Sequence, residues 1–184
     1  MEYEVKGSIL EVKTMKRKIF IHRVEDSQVQ LSPDMKAITV WQPWATLIAL
    51  RLKGFETRGR RTYHHGPLAI HAGLKVDREA CEREPIKSVL AEHGYTADNL
   101  PTGAVVATTE LRECFLVKRD YLGGVVILES DSRKTHFSTT DNEFQFGDFT
   151  PGRYAWEMAD VKMLPKPLLA KGQQGIWNWD GGFL

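Results

Sequence analysis

Residues 38–58 read ITVWQPWATLIALRLKGFETR, and this stretch decides the fold and holds most of the candidate functional residues. Ile38, Val40 and Trp41 are β-branched or aromatic, which is typical of a buried strand. Pro43 has the fixed φ of a first helical turn, so we expect a helix directly after the strand. The stretch therefore predicts a strand that passes at once into a helix.

The predicted helix has one apolar face. Trp44, Leu47 and Ile48 recur at three- and four-residue spacing, which indicates a stripe that packs into the core. Arg51 would place a cation in the last turn, where it suits the helix dipole. Gly54 is expected to end the helix.

A second strand is predicted immediately after Gly54. Side chains alternate along a strand, so Phe55 would face one side while Glu56 and Arg58 face the other. Lys53 stands at the turn beside them. Two interpretations remain open: an ion-paired network that holds the strand without chemistry, or a catalytic pair in which Glu56 holds or deprotonates a desolvated lysine.

The order Gln-Pro-Trp-Ala after a strand, followed by Lys-x-x-Glu-x-Arg, resembles the activating signal cointegrator homology (ASCH) domains, which share the PUA-like fold. In that family a glycine usually precedes the lysine by two positions, whereas Arg51 occupies that position here. Other segments that look like bacterial and phage members are 66–72, 147–149, 152–157 and 175–179. The resemblance covers roughly residues 35–179.

The resemblance implies an α+β fold, a PUA-like mixed β-barrel with short helices covering its openings. The segment 175–179 resembles the family's closing strand, which returns beside the first strand. Strands are also predicted over 103–117, which is β-branched and mostly apolar, over 125–129 after a Gly-Gly turn, and over 154–158, where apolar residues alternate. A polar loop or hairpin tip is expected over residues 131–140, and a proline-rich turn over residues 162–167.

The chain of 184 residues is 42% hydrophobic, which suffices for one core domain. We expect residues 35–184 to form the ASCH domain. Residues 1–34 are charged and weakly patterned, and they lie outside the resemblance. They are expected to be a flexible extension or to add an accessory strand around Ile19, Ile21 and Val24.

Charge and cysteine content narrow the function classes. The formal net charge is +1, so any attraction for nucleic acid must be local. Cys81 and Cys114 lack metal-ligand spacing, and the sequence predicts no disulfide framework, metal or cofactor. No apolar run is long enough to span a bilayer, so we expect a soluble cytoplasmic protein with no membrane partner.

Five cations lie within eleven residues, and three aromatic or imidazole side chains follow them. The cations are Arg51, Lys53, Arg58, Arg60 and Arg61, and Tyr63, His64 and His65 come next. Guanidinium groups bind phosphate oxygens, and aromatic rings stack on bases, so this is a candidate phosphate track. The alternative is a solvated charged face without a ligand.

Trp41, Gln42 and His71 are further candidates for a ligand pocket. Trp41 could stack on a splayed-out base whose edge Gln42 recognises, although the Gln42 amide could equally bond to backbone. His71 follows an apolar run, so it is either a pocket-facing group or an interior histidine with its own partner. Trp44, on the apolar stripe, is assigned to the core.

Three functions remain open. The favoured one is binding of RNA, or DNA, in a basic cleft, with His71 as a pocket residue. Phosphate contacts are assigned to Lys53, Arg58, Arg60 and Arg61, and contacts with a base to Trp41, Gln42 and Glu56. The second is a hydrolase acting on a modified nucleoside, or a ribonuclease, with Lys53 and Glu56 as the catalytic residues. The third is a protein-interaction adaptor.

The resemblance implies that one catalytic group of the related hydrolases is missing here. In small family members that hydrolyse N4-acetylcytidine, the motif lysine works with a threonine three residues later and with a distant glutamate. Glu56 stands at the threonine position here, so the expected hydroxyl nucleophile is missing. A carboxylate there could instead activate water as a general base.

Overall fold

The computed structural model of the chain describes residues 35–181 and three strands before them. Contacts divide the chain into two compact units, Met1–Gln30 and Leu31–Leu184. The first unit contains an antiparallel sheet in the order β1 (Glu2–Lys6), β2 (Ile9–Thr14) and β3 (Arg17–His22). Ile19 and Ile21 lie in β3, and the other two strands were not predicted. Val24 lies outside the described residues.

The second unit is α+β, with an eight-stranded mixed sheet and four short helices within residues 35–181. Its elements in chain order are β4 (Met35–Gln42), α1 (Trp44–Ala49), β5 (Phe55–Arg58), β6 (Gly66–Val76), α2 (Arg78–Glu82), α3 (Ile86–Glu92), β7 (Ala104–Arg119), β8 (Val125–Glu129), β9 (Lys134–Ser138), α4 (Asn142–Gln145), β10 (Tyr154–Leu169) and β11 (Ile176–Trp179). None of the helices in the described ranges is long and apolar enough to cross a membrane.

The main path of the sheet runs β11-β4-β6-β7-β10-β5, and β8 and β9 extend it from β7. The β4–β6 pair is parallel, and the other pairs are antiparallel. The path ends at β11 and β5 without closing, so the predicted barrel closure is not confirmed. The pairing of β11 beside β4 confirms the position predicted for the closing strand.

The open sheet is nevertheless curled around its core. Ile38 of β4 and Trp156 of β10 pack in the same hydrophobic cluster, although two strands separate β4 from β10. Arg58 on the edge strand β5 donates through Nη2 to the Thr39 carbonyl of β4, 2.8 Å away. A side chain therefore bridges two strands that share no backbone ladder, and this bridge lies at the candidate site.

Burial explains why these segments become strands and helices. The parallel β4–β6 pair is apolar, as expected for strands covered on both faces, and α1 buries residues 45–49 against the sheet. A second cluster joins Leu47 of α1 to α2, α3 and Phe146. A third cluster packs Phe149 against β7, β8 and β10. Asp77 begins α2 by accepting a hydrogen bond from the Ala80 N–H, 2.9 Å away.

The predicted end of the first helix was wrong. The helix ends at Ala49 rather than at Gly54, because Arg51 adopts a left-handed conformation with φ 62°. The next two N–H groups then turn back and donate to the Leu47 carbonyl at 2.9 and 3.2 Å. This is the C-terminal geometry that glycine usually provides.

Two predictions about connecting segments also need correction. Residues 131–140 begin in the tip of the β8–β9 hairpin, which is one of the two predicted alternatives, but they also contain strand β9, which was not predicted. Residues 162–167 belong to β10 and do not form a turn. Pro165 and Pro167 are accommodated because they lie in an irregular part of the ladder, where the register shifts between Met163 and Leu168. The strands predicted over 103–117, 125–129 and 154–158 correspond to β7, β8 and the first part of β10.

Candidate functional site

Buried charges lie at the start of β5. Lys53 is 1% exposed, and its Nζ donates to the Phe55 carbonyl. The same nitrogen lies 3.9 Å from Glu56 Oε2, and Glu56 Oε1 lies 3.0 Å from Arg58 Nε. The alternation of β5 places Glu56 and Arg58 on one face, and Lys53 reaches Glu56 from the turn before the strand.

Glu143 of α4 completes this group, and sequence reasoning missed it. Its two carboxylate oxygens accept hydrogen bonds from the backbone N–H groups of Gly54, at 2.7 Å, and Phe55, at 3.1 Å. The Lys53 ammonium also attracts the Glu143 carboxylate. We call Lys53, Glu56, Arg58 and Glu143 the Lys53 cluster.

Burial dominates the electrostatics of the Lys53 cluster. It lowers the pKa of Lys53 because the charged amine is removed from water, although Glu56 and Glu143 oppose this shift. Burial also raises the pKa of Glu143, against the opposing effects of Lys53 and the two backbone N–H donors. The cluster contains two basic and two acidic groups, so its formal charges balance when all four are ionised.

A cavity of about 440 Å³ opens beside Lys53. One wall is formed by the turn after α1 and the other by the middle of β10. The lining residues are Arg51, Lys53, Gly54, Met158, Asp160, Val161 and Lys162. Because Arg51 and Lys162 are exposed cations, we call this the cation cavity.

His71 lies beneath the segment that connects β10 to β11. It is 2% exposed, and its Nε2 lies 3.0 Å from the Ala170 carbonyl, which requires the proton to be on Nε2. Nδ1 has no hydrogen-bond partner among the described residues. Burial lowers the pKa of the imidazole. This placement matches the interior alternative, although Nδ1 itself is left unpaired.

A shared neighbour connects His71 to the Lys53 cluster. In the parallel pair of β4 and β6, His71 stands opposite Thr39, whose carbonyl accepts from Arg58. The hydroxyl of Thr39 donates to the Gln173 carbonyl, 2.9 Å away. Thr39 therefore connects His71, the segment between β10 and β11, and Arg58.

Gln42 and Trp41 contact residues outside the Lys53 cluster. Gln42 is fully buried: its Nε2 donates to the Pro101 carbonyl at 2.7 Å, and its Oε1 accepts from the Thr46 N–H at 3.1 Å. Its partners are thus backbone groups, which is the second of the two alternatives for this amide. Trp41 is 48% exposed, and the Lys75 Nζ lies 3.6 Å from its ring centroid. Trp44 packs against two of the core clusters, as predicted.

Arg60 and Arg61 lie on the exposed segment between β5 and β6. Arg61 forms an ion pair with Asp131 at 2.7 Å, and its guanidinium lies 5.3 Å from the ring centroid of Tyr63. Tyr63 is 83% exposed. The Arg60 carbonyl accepts from Trp156 Nε1 at 3.2 Å, which fixes the backbone while its side chain remains exposed.

Metal ligation has no candidate within the described residues, where no group of three or more His, Cys, Asp and Glu side chains could hold an ion. Cys81 and Cys114 are both buried and free.

A comparison of the chain with protein-family models finds no match. A comparison with curated proteins likewise finds no significant match.

Proposed function

We propose that residues 35–184 form an ASCH-like domain with a PUA-like curled sheet, and that it binds RNA, or DNA, on its basic surface. The observation that carries this proposal is the pairing of exposed aromatic rings with cations. Tyr63 lies beneath Arg61, and Trp41 beneath Lys75. Exposed rings of this kind stack on bases, and the adjoining cations neutralise phosphates.

Local geometry supports the ASCH-like assignment. The motif lysine, glutamate and arginine meet in the Lys53 cluster. Arg51, at the position where the family usually has glycine, has φ 62°, the backbone conformation that glycine favours. The return of β11 beside β4 and the Arg58 bridge to Thr39 are consistent with a barrel-like arrangement.

In this proposal the exposed cations guide and hold the backbone of the nucleic acid. Arg60 and Arg61 contact phosphates next to the Tyr63 ring, and Trp41 provides a second stacking surface. Lys53 lies deeper and lines the cation cavity, so it would contact only a nucleotide that enters this cavity, whereas Glu56 would act through its ion pair with Lys53. Gln42 supports the start of α1 and acts on the ligand through the position of Trp41.

Hydrolysis of a modified nucleoside is the second candidate, favoured by the proton chemistry of the Lys53 cluster. Burial lowers the pKa of the Lys53 amine, and it raises the pKa of the half-buried Glu143 carboxyl group, which the Lys53 charge attracts. Both shifts bring the pKa values closer together, which favours exchange of a proton between such groups and a bound substrate. Glu143 would serve as the distant carboxylate, and Glu56 or Glu143 would activate water in place of the missing hydroxyl.

One experiment separates these candidates. The purified protein is incubated with total RNA and, in parallel, with N4-acetylcytidine, and retained RNA and released products are measured by mass spectrometry. RNA retained without product supports the binding function. Product formation that is lost in Lys53→Met, but retained in the exposed control Lys87→Met, supports the hydrolase. If no RNA is retained and no product is released, both candidates are overturned and a protein-interaction adaptor remains.

A further inference from the structure

The cation cavity has more positive charge than its surroundings neutralise. Arg51 and Lys162 lie on opposite walls, and neither forms an ion pair within the described residues. Asp160 is the one acidic residue in the lining, and Arg112 pairs with it at 3.0 Å. Lys53 contributes little net charge because two carboxylates offset it.

Two strained residues shape the walls of this cavity. Arg51 has φ 62° and Asp160 has φ 50°, and they are the two non-glycine residues with positive φ among the described residues. Such conformations are unfavourable for residues that carry a Cβ, and they often occur at ligand sites. A hydrogen bond of 2.9 Å from Arg51 Nε to the Val161 carbonyl ties the two walls together.

The hydrogen bond of Arg51 also leaves a defined set of free donors. Nε is used by Val161, so the two terminal nitrogens of the guanidinium are available to a ligand. A guanidinium edge of this kind fits the oxygens of a phosphate group. Lys162, on the facing wall, supplies a mobile ammonium for the same group.

We propose that the cation cavity binds the terminal phosphate of a nucleotide or an RNA end. A terminal phosphomonoester carries a charge of about −2 near neutral pH, which the two unpaired cations match. An internal phosphodiester carries half of that charge and would leave one cation without a partner. The cavity volume of about 440 Å³ leaves space for the attached nucleoside.

This proposal rests on the proposed binding of RNA and adds which part of the molecule is recognised. It depends on Arg51, which replaces the glycine of the motif, and on Lys162, which lies outside the motif. The proposed phosphate site therefore depends on residues particular to this chain and does not follow from the Lys-x-x-Glu-x-Arg motif.

The test compares one short RNA sequence with a 5′-hydroxyl, a 5′-phosphate or a 3′-phosphate, measured by fluorescence anisotropy. One phosphorylated end should bind about tenfold tighter than the hydroxyl form, as expected for charge-assisted contacts in a cavity. A 5′-mononucleotide and inorganic phosphate, used as competitors, should both reduce this preference. A free mononucleotide that competes better than inorganic phosphate indicates that the nucleoside also occupies the cavity.

Two variants and a control locate the effect. Arg51→Gly removes the guanidinium and leaves a residue that suits φ 62°, so the fold should be retained. Lys162→Gln removes an exposed charge. Each should abolish most of the preference for a phosphorylated end, whereas Lys166→Gln, on the same strand but outside the lining, should preserve it.

The outcomes distinguish the two proposals. Equal affinity for phosphorylated and hydroxyl RNA overturns the phosphate site and leaves RNA binding intact. A preference that survives in both Arg51→Gly and Lys162→Gln also overturns it. Binding of the mononucleotide without binding of any RNA supports the phosphate site and contradicts the proposed function. Absence of binding to every probe overturns both.

Discussion

Lys53 and Glu56 lie 3.9 Å apart in the protein, with 1% and 11% of their side chains accessible. Removing charges from water is costly, and a buried ion pair rarely adds stability over an apolar pair of the same shape. Arg58 and Glu143 are needed to complete the balance of charge. The Lys53 cluster is therefore weak evidence for a purely stabilising role, and its charges are the basis for the second candidate function, hydrolysis of a modified nucleoside.

Removal of the Glu56 charge should destabilise the fold more than removal of the Lys53 charge. In Glu56→Gln the buried ammonium loses its facing carboxylate, and a loss on the order of 3 kcal/mol in the free energy of unfolding is expected. In Lys53→Met the ammonium itself is gone, and Glu56 keeps Arg58 as a partner at 3.0 Å. Urea denaturation of both variants measures the difference, and a smaller loss in Glu56→Gln would contradict this account.

Glu143 should act as a structural clamp on the turn before β5. In Glu143→Ala the N–H groups of Gly54 and Phe55 lose their acceptor, and an unfolding free energy lower by about 1–3 kcal/mol is expected. The control is Glu92→Ala, which removes an exposed carboxylate on α3. Hydrogen exchange at Gly54 and Phe55 should accelerate only in Glu143→Ala, and unchanged exchange would rule out the clamp.

His71 should make the fold sensitive to acid. Burial lowers its pKa below the usual 6.5, so the unfolded chain takes up a proton that the folded protein resists. The contribution to stability is present above pH 6.5 and is lost as the pH falls below that value. The free energy of unfolding should therefore decrease on acidification, and His71→Gln should remove this part of the decrease. The exposed His136→Gln is the matched control, and an identical pH profile in both variants would argue against the assignment.

Gly172 should tolerate no side chain. A Cβ at this position would lie 2.5 Å from Cε1 of His71 and 2.9 Å from the Thr39 hydroxyl oxygen. Gly172→Ala must displace the segment that covers the imidazole, and a loss of about 1–3 kcal/mol is expected. At Gly124 nothing lies within 4 Å of the point that a Cβ would occupy, so Gly124→Ala should be close to neutral. Thermal unfolding of both variants tests the difference, and equal melting temperatures would contradict it.

Local sequence patterns predicted much of the second unit. The β-branched run before Pro43 predicted β4 and the start of α1, and alternation after Gly54 predicted that Glu56 and Arg58 share a face. These inferences depend on neighbouring residues, for which strand and helix periodicity are direct signals. The apolar character of 103–117 identified β7 for the same reason.

Contacts between distant segments were not predictable in this way. Glu143 lies on a four-residue helix and reaches Gly54 across 89 positions of sequence. A buried lysine implies a carboxylate partner, but no periodicity points to one so far along the chain. The left-handed backbone at Arg51 was hidden for a related reason, since a residue other than glycine gives no local signal for that conformation.

The most direct test of the central claim is the salt dependence of affinity for one single-stranded RNA, measured for the unmodified protein and for an Arg60→Gln/Arg61→Gln variant. Because each neutralised phosphate releases counterions, the logarithm of the binding constant should fall linearly with the logarithm of salt concentration. Two lost phosphate contacts should make the slope shallower by about 1.4, at about 0.7 for each contact with a single strand. An affinity that does not depend on salt, or the same slope in the variant, would contradict binding through this surface.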